Sequence, residues 1–116
     1  MQIKRIESSA RMSQAVVANG FVFLAGQVAT DPSTADVEVQ TRQVLAEIDR
    51  LLALAGSSKQ KILTATIYLS DVASFADMNR AWEAWVPADA KPARATVEAA
   101  LVAPQYKVEI QVTALA

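Results

Sequence analysis

KPARATVEA, residues 91–99, places an arginine where chemistry could be done. A proline leads the chain into an alternating segment whose first polar side chain is Arg94. Alternation sets Arg94, Thr96 and Glu98 on one face and Ala93, Ala95, Val97 and Ala99 on the other. A guanidinium offers parallel donors that match a carboxylate in two hydrogen bonds, so an arginine fixed on a strand can bind and orient an organic acid. The plainer alternatives are a solvated strand charge or an intersubunit salt bridge. The chain has no histidine and no cysteine. That excludes Ser-His-Asp nucleophiles, thiolate catalysis, disulfide frameworks and the usual zinc sites. Any chemistry must use carboxylates, Arg, Lys, Ser/Thr, Tyr, backbone amides or water.

The elements that must position Arg94 follow from periodicity. QIKRIE reads as a short strand. QAVVANGFVFLAGQ reads as a hairpin turning at Asn19-Gly20, and its second arm is apolar on both faces, so it should be covered on both. A helix is predicted from about Val37 to Ala55, with Thr41, Val44, Leu45, Ile48, Leu51, Leu52 and Ala55 as its buried stripe. Gln40, Gln43, Glu47 and Arg50 fall mostly off that stripe, and Gly56 suits a left-handed C-terminal cap. ILTATIYLS reads as a central strand. Asp71 or Ser74 caps a second helix, Ser74 and Asp77 resembling a capping box, and Phe75, Met78, Trp82 and Trp85 form its buried stripe. RATVEAALV and KVEIQVTALA close the chain as strands that would pair as a hairpin across APQY.

The order is strand, hairpin, helix, strand, helix, strand, strand, an α+β pattern with one mixed sheet and two helices on one face. The other face is expected to carry Arg94, Thr96, Glu98, Glu109, Gln111 and Thr113, with apolar residues from Phe21–Leu24. A sheet face mixing polar groups with large apolar ones suits packing against another subunit. The 116 residues fit one domain, residues 1–116, and 53% are hydrophobic. A formal net charge of −1, with no basic run, gives nucleic acid no foothold. No signal-peptide core or membrane-spanning run is visible, so a cytoplasmic protein with no membrane partner is expected.

NGFVFLAGQ, QTRQVLAEIDRLLALAG, ILTATIYLSDVASFADMNRAWEAW, PARATVEA and KVEIQVTALA occur in that order over nearly the whole chain. Together they resemble the RidA/YjgF family of reactive intermediate deaminases. The resemblance implies a chorismate-mutase-like α+β fold, with the last strand inserted between others rather than paired as a hairpin. It further implies a homotrimer with ligand clefts between subunits, and hydrolysis of enamines and imines to 2-keto acids and ammonia without metal or cofactor.

Residue by residue, the resemblance assigns Arg94 to the ligand carboxylate. Glu109, on the last strand, becomes the catalytic group that delivers water to the imine carbon and relays protons. Gly26 matches a position whose backbone lies near the ligand. Thr96 stands where the best-known members have cysteine and shapes the pocket, its carbonyl helping to hold the water. Met12 and Ala25 stand where those members have tyrosine and serine, which marks a divergent branch with altered side-chain preference. Asn79 is expected to make structural hydrogen bonds, and Glu98 to pair across the trimer. The alternative reading is a non-catalytic module binding a small carboxylate in the same cleft. RNA cleavage or translation inhibition, attributed to some relatives, is the weakest reading on charge and on the absence of histidine.

Overall fold

A computed structural model describes residues 2–116. Its strands are β1 (Lys4–Ser8), β2 (Ser13–Ala18), β3 (Phe21–Leu24), β4 (Gln27–Val28), β5 (Ile62–Leu69), β6 (Ala93–Glu98) and β7 (Val108–Leu115). The helices are α1 (Val37–Leu54) and α2 (Phe75–Trp85). One sheet runs in the order β1-β2-β3-β7-β5-β6, with β4 pairing β7 beyond β3. Both helices pack on one face, where a single core joins Val44, Leu45, Ile48, Leu51 and Leu52 of α1 and Met78 and Trp82 of α2 to the inward residues of the strands.

Local chemistry builds these elements as the sequence suggests. Asn19 (φ 52°) and Gly20 (φ 79°) both take the left-handed conformation that a two-residue turn between twisted strands demands. Asp36 accepts from the Val39 amide to start α1. At its far end Gly56 (φ 78°) donates to the Ala53 carbonyl and Ser57 to that of Leu52, closing the helix with a Schellman motif. The α1 stripe is buried as expected, but Gln40 is buried with it. Its amide donates to the carbonyls of Thr34 (2.7 Å) and Gln105 (3.0 Å), and its oxygen accepts from the Lys107 amide (2.9 Å). These bonds fix the irregular segment leading into β7.

Three expectations give way. Ser74 makes no side-chain cap. Asp71 does so one turn earlier, accepting from the Ala73 amide at the start of a short 3₁₀ turn, and Asp77 pairs with Arg80 instead of closing a box. The hairpin between the last two strands does not form. β6 runs parallel to β5, reached through α2 as a strand–helix–strand crossover, and β7 lies antiparallel to β5 on its other side. The inserted position fits the composition of β7, whose Val108, Ile110, Val112 and Ala114 are wholly buried.

The third correction concerns the faces. Arg94, Thr96 and Glu98 pair with Ala65, Ile67 and Leu69, all core residues, and therefore point towards the helices. Glu109, Gln111 and Thr113 pair with Tyr68, Thr66 and Thr64 and point away from them, onto the open face. Phe21 and Phe23 lie on that open face too, their ring centroids 6.1 Å apart, and Phe23 remains 44% exposed. Within one chain the second arm of the hairpin is thus covered on one side only.

Candidate functional site

Arg94 sits on the edge strand β6, half-buried beneath α2. Its Nη1 donates to Asn79 Oδ1 at 2.8 Å. Its guanidinium carbon lies 5.3 Å from the Trp82 ring centre and 5.7 Å from that of Phe75. Phe75, Asn79 and Trp82 fall at i, i+4 and i+7 of α2, so one helix face grips the guanidinium with two aromatic rings and an amide. No acidic side chain among the described residues pairs with Arg94. Nη1 is held by Asn79, and the Nε–Nη2 edge makes no hydrogen bond among the described residues. That edge is the one that takes a carboxylate in two parallel bonds.

Thr96 follows on the same face, its hydroxyl buried and without a hydrogen-bond partner among the described residues. Glu98 ends the row by accepting from the Val72 amide at 2.9 Å, which ties β6 to the turn before α2.

Glu109 and Gly26 come together on the open side. Five residues, Phe23 to Gln27, lie opposite four, Thr113 to Ile110, so the chain bulges by one residue at Ala25–Gly26. Gln111 spans the bulge, its amide donating to the Leu24 carbonyl at 3.0 Å. The Glu109 carboxyl group lies across Gly26 so closely that a Cβ there would come within 2.9 Å of Glu109 Cδ and 3.2 Å of Cγ, and would overlap Oε2. Glycine is needed here for close approach, not for an unusual φ. Glu109 has no ion-pair partner among the described residues. Ala25 donates its amide to the Gln14 carbonyl, and Met12, two residues before Gln14, is 46% exposed at the same end of the sheet.

The expected residues therefore form two groups. Arg94 and Thr96 face α2 from the sheet edge, whereas Glu109 and Gly26, with Ala25 and Met12 nearby, lie on the opposite face with β5 intervening. One chain cannot close a pocket with both groups. Phe75 and Trp82 are the residues that sequence reasoning assigned to packing alone. Their spacing with Asn79 on one helix face was the available signal.

The fold is a mixed sheet with two helices on one side, carrying an arginine and a glutamate that each lack an ionic partner among the described residues. The family model described as Endoribonuclease L-PSP matches residues 2–116. A RutC family protein of Haemophilus ducreyi is 47% identical over 112 residues, covering 97% of this chain and 95% of its own length. The RutC family protein YoaB of Escherichia coli is 46% identical over 114 residues, 98% of each chain. Among solved structures, NMB1025 of Neisseria meningitidis, a YjgF family member, superposes with a TM-score of 0.96 at 47% identity, covering 99% of this chain and 95% of the other. Rv2704 of Mycobacterium tuberculosis, of the YjgF/YER057c/UK114 family, gives 0.89 at 26% identity, covering 99% and 100%. The chain belongs to the RutC/YjgF (L-PSP) family.

Proposed function

We propose that this chain is a cytoplasmic, cofactor-independent deaminase that hydrolyses reactive 2-imino acids to 2-keto acids and ammonia. The observation that carries the reading is Arg94, a half-buried cation gripped by Asn79, Phe75 and Trp82 with its bidentate edge free. Such an arrangement suits a small organic carboxylate. Because Glu109 is on the other face, each site joins Arg94 of one chain to Glu109 of a neighbour in a homotrimer. The open face, with Phe21, Phe23 and Leu115 beside its polar residues, supplies the surface for that assembly.

In this site the substrate carboxylate bonds to Nε and Nη2 of Arg94, which fixes the imine carbon. Glu109 accepts a proton as water adds to that carbon. That proton passes to the imine nitrogen to give an amino carbinol; the carbinol proton then moves through Glu109 to the same nitrogen as the carbon–nitrogen bond breaks, leaving a 2-keto acid and ammonia. The Gly26 amide and the Thr96 carbonyl complete the cradle.

An amino-acid oxidase generating 2-imino acids in the presence of the purified protein tests the reading. Faster loss of imine is expected, abolished in Arg94→Ala with the trimer intact. No acceleration across several imino acids overturns it. Met12 and Ala25, which bring no hydroxyl to the site, favour a second reading, a non-catalytic binder of small carboxylates. A saturable thermal shift with 2-keto acids and no turnover would decide for it. Absence of histidine and a net charge of −1 argue against RNA as the substrate.

A further inference from the structure

Phe75 is out of place as a packing residue. Met78 and Trp82, on the same helix face, are 0% and 6% exposed, yet Phe75 is 41% exposed. Val72, in the turn before it, is 56% exposed. Within one chain Phe75 thus remains uncovered beside a half-buried guanidinium, and Val72 stands exposed three residues before it. We propose that Phe75 and Val72 form the side-chain subsite of this pocket, so that it selects 2-imino and 2-keto acids with large apolar or aromatic side chains over the three-carbon ones.

Geometry supports the assignment. A carboxylate carbon paired side-on with a guanidinium lies about 4 Å from its central carbon. The third and later carbons of a 2-keto acid then fall roughly 5–7 Å away, a span that includes the 5.7 Å separating the guanidinium carbon from the Phe75 ring centre. A side chain of several carbons directed towards α2 would lie along the ring, whereas the methyl group of a three-carbon acid would reach only its near edge. The Glu98 carboxylate, bonded to the Val72 amide, flanks the same patch and disfavours acidic side chains. Met12 and Ala25, on the Glu109 side, offer no polar group to a polar one either.

The inference rests on the deaminase reading for its reaction, but its ligand chemistry can be tested separately. Calorimetric titration with pyruvate, 4-methyl-2-oxopentanoate and phenylpyruvate would be run on the wild-type chain, Phe75→Ala and Phe75→Leu, with assembly checked by sedimentation. Phenylpyruvate is expected to bind about tenfold or more tighter than pyruvate. Phe75→Ala should bring that ratio to within about twofold, whereas Phe75→Leu should keep most of the preference for 4-methyl-2-oxopentanoate. Any general disturbance of Arg94 weakens all three acids alike and cancels in the ratio. Equal affinity in the wild type, a preference that survives Phe75→Ala, or failure of all three acids to bind overturns the subsite. Preferential binding without imine hydrolysis leaves the subsite standing and overturns the deaminase reading alone.

Discussion

Gly26→Ala separates the site from the fold. The new methyl carbon would stand 2.9 Å from Glu109 Cδ and 3.2 Å from Cγ, against about 3.5–4.0 Å for ordinary carbon contact. Relief of at least about 0.3 Å at Cγ and about 0.6 Å at Cδ is needed, and more at Oε2, so the carboxylate must swing by about 1 Å or more. Glu109 is half-buried at the end of a flexible side chain and can move. Its displacement costs about 0.5–1.5 kcal/mol in rotamer strain. Gly26 does not have a positive φ, so alanine recovers about 0.4–1 kcal/mol through the unfolded chain. The two terms nearly cancel, and the midpoint of thermal unfolding should move by a few degrees at most. Activity should respond differently, because a misplacement of about 1 Å at a catalytic group costs on the order of a hundredfold. Parallel measurement of thermal unfolding and of kcat/KM for imine hydrolysis checks both halves. Full activity in Gly26→Ala would refute the placement of Glu109 as the catalytic group, and an unfolded variant would refute the view that Gly26 serves the site alone.

Asn79→Ala should lower kcat/KM about tenfold or more by releasing the Arg94 guanidinium, and Asn79→Asp should lower it further by supplying a carboxylate that competes with the substrate; steady-state kinetics on both variants checks this. Gln40→Leu strands the Thr34, Gln105 and Lys107 backbone groups and should destabilise the chain by about 2–4 kcal/mol in urea unfolding. Arg50, which bridges Glu7 and Glu47, holds both carboxyls below their ordinary value of 4.5 through hydrogen bonding, aided by its charge. Stability from these pairs is fully present above that value and is lost as pH falls through the lower folded values. Thermal unfolding followed from pH 7 into the acid range should therefore show a smaller acid loss in Arg50→Ala than in the wild type.

The parts of the fold visible in the sequence are those governed by local rules. The turn at Asn19-Gly20, the Gly56 cap and the α1 stripe each depend on residues a few positions apart. Gln40 escaped because its partners lie elsewhere in the chain: it sits beside the stripe as a polar residue, and two of its three bonds reach Gln105 and Lys107, more than sixty residues away. The pairing of β6 was misread because an alternating strand after a short loop looks like half of a hairpin. The intervening α2 makes parallel pairing with β5 the natural outcome, and β7 then takes the other side of β5.

The faces of β6 illustrate a different limit. Alternation established that Arg94, Thr96 and Glu98 share a side, but not which side faces the helices. The apolar set, Ala93, Ala95 and Val97, suggested itself for the core, yet these residues are exposed. Arg94 can face α2 because Phe75 and Trp82 take its guanidinium over their rings and Asn79 accepts one of its donors. Those groups are 12 to 19 positions earlier in the chain, so only the packing of α2 over the sheet edge reveals the match. The same correction sets Arg94 and Glu109 on opposite faces of the chain, which is why the proposed site draws them from two chains.

Complementation between two inactive variants tests that claim most directly. Arg94→Ala and Glu109→Gln chains, each expected to be inactive alone, would be co-expressed, purified as mixed trimers and assayed for imine hydrolysis. If each site takes its arginine from one chain and its glutamate from the next, a random one-to-one mixture restores intact pairs at about a quarter of the sites. Recovery of roughly that fraction of wild-type activity is the predicted result. Mixed trimers as inactive as either parent would contradict the account.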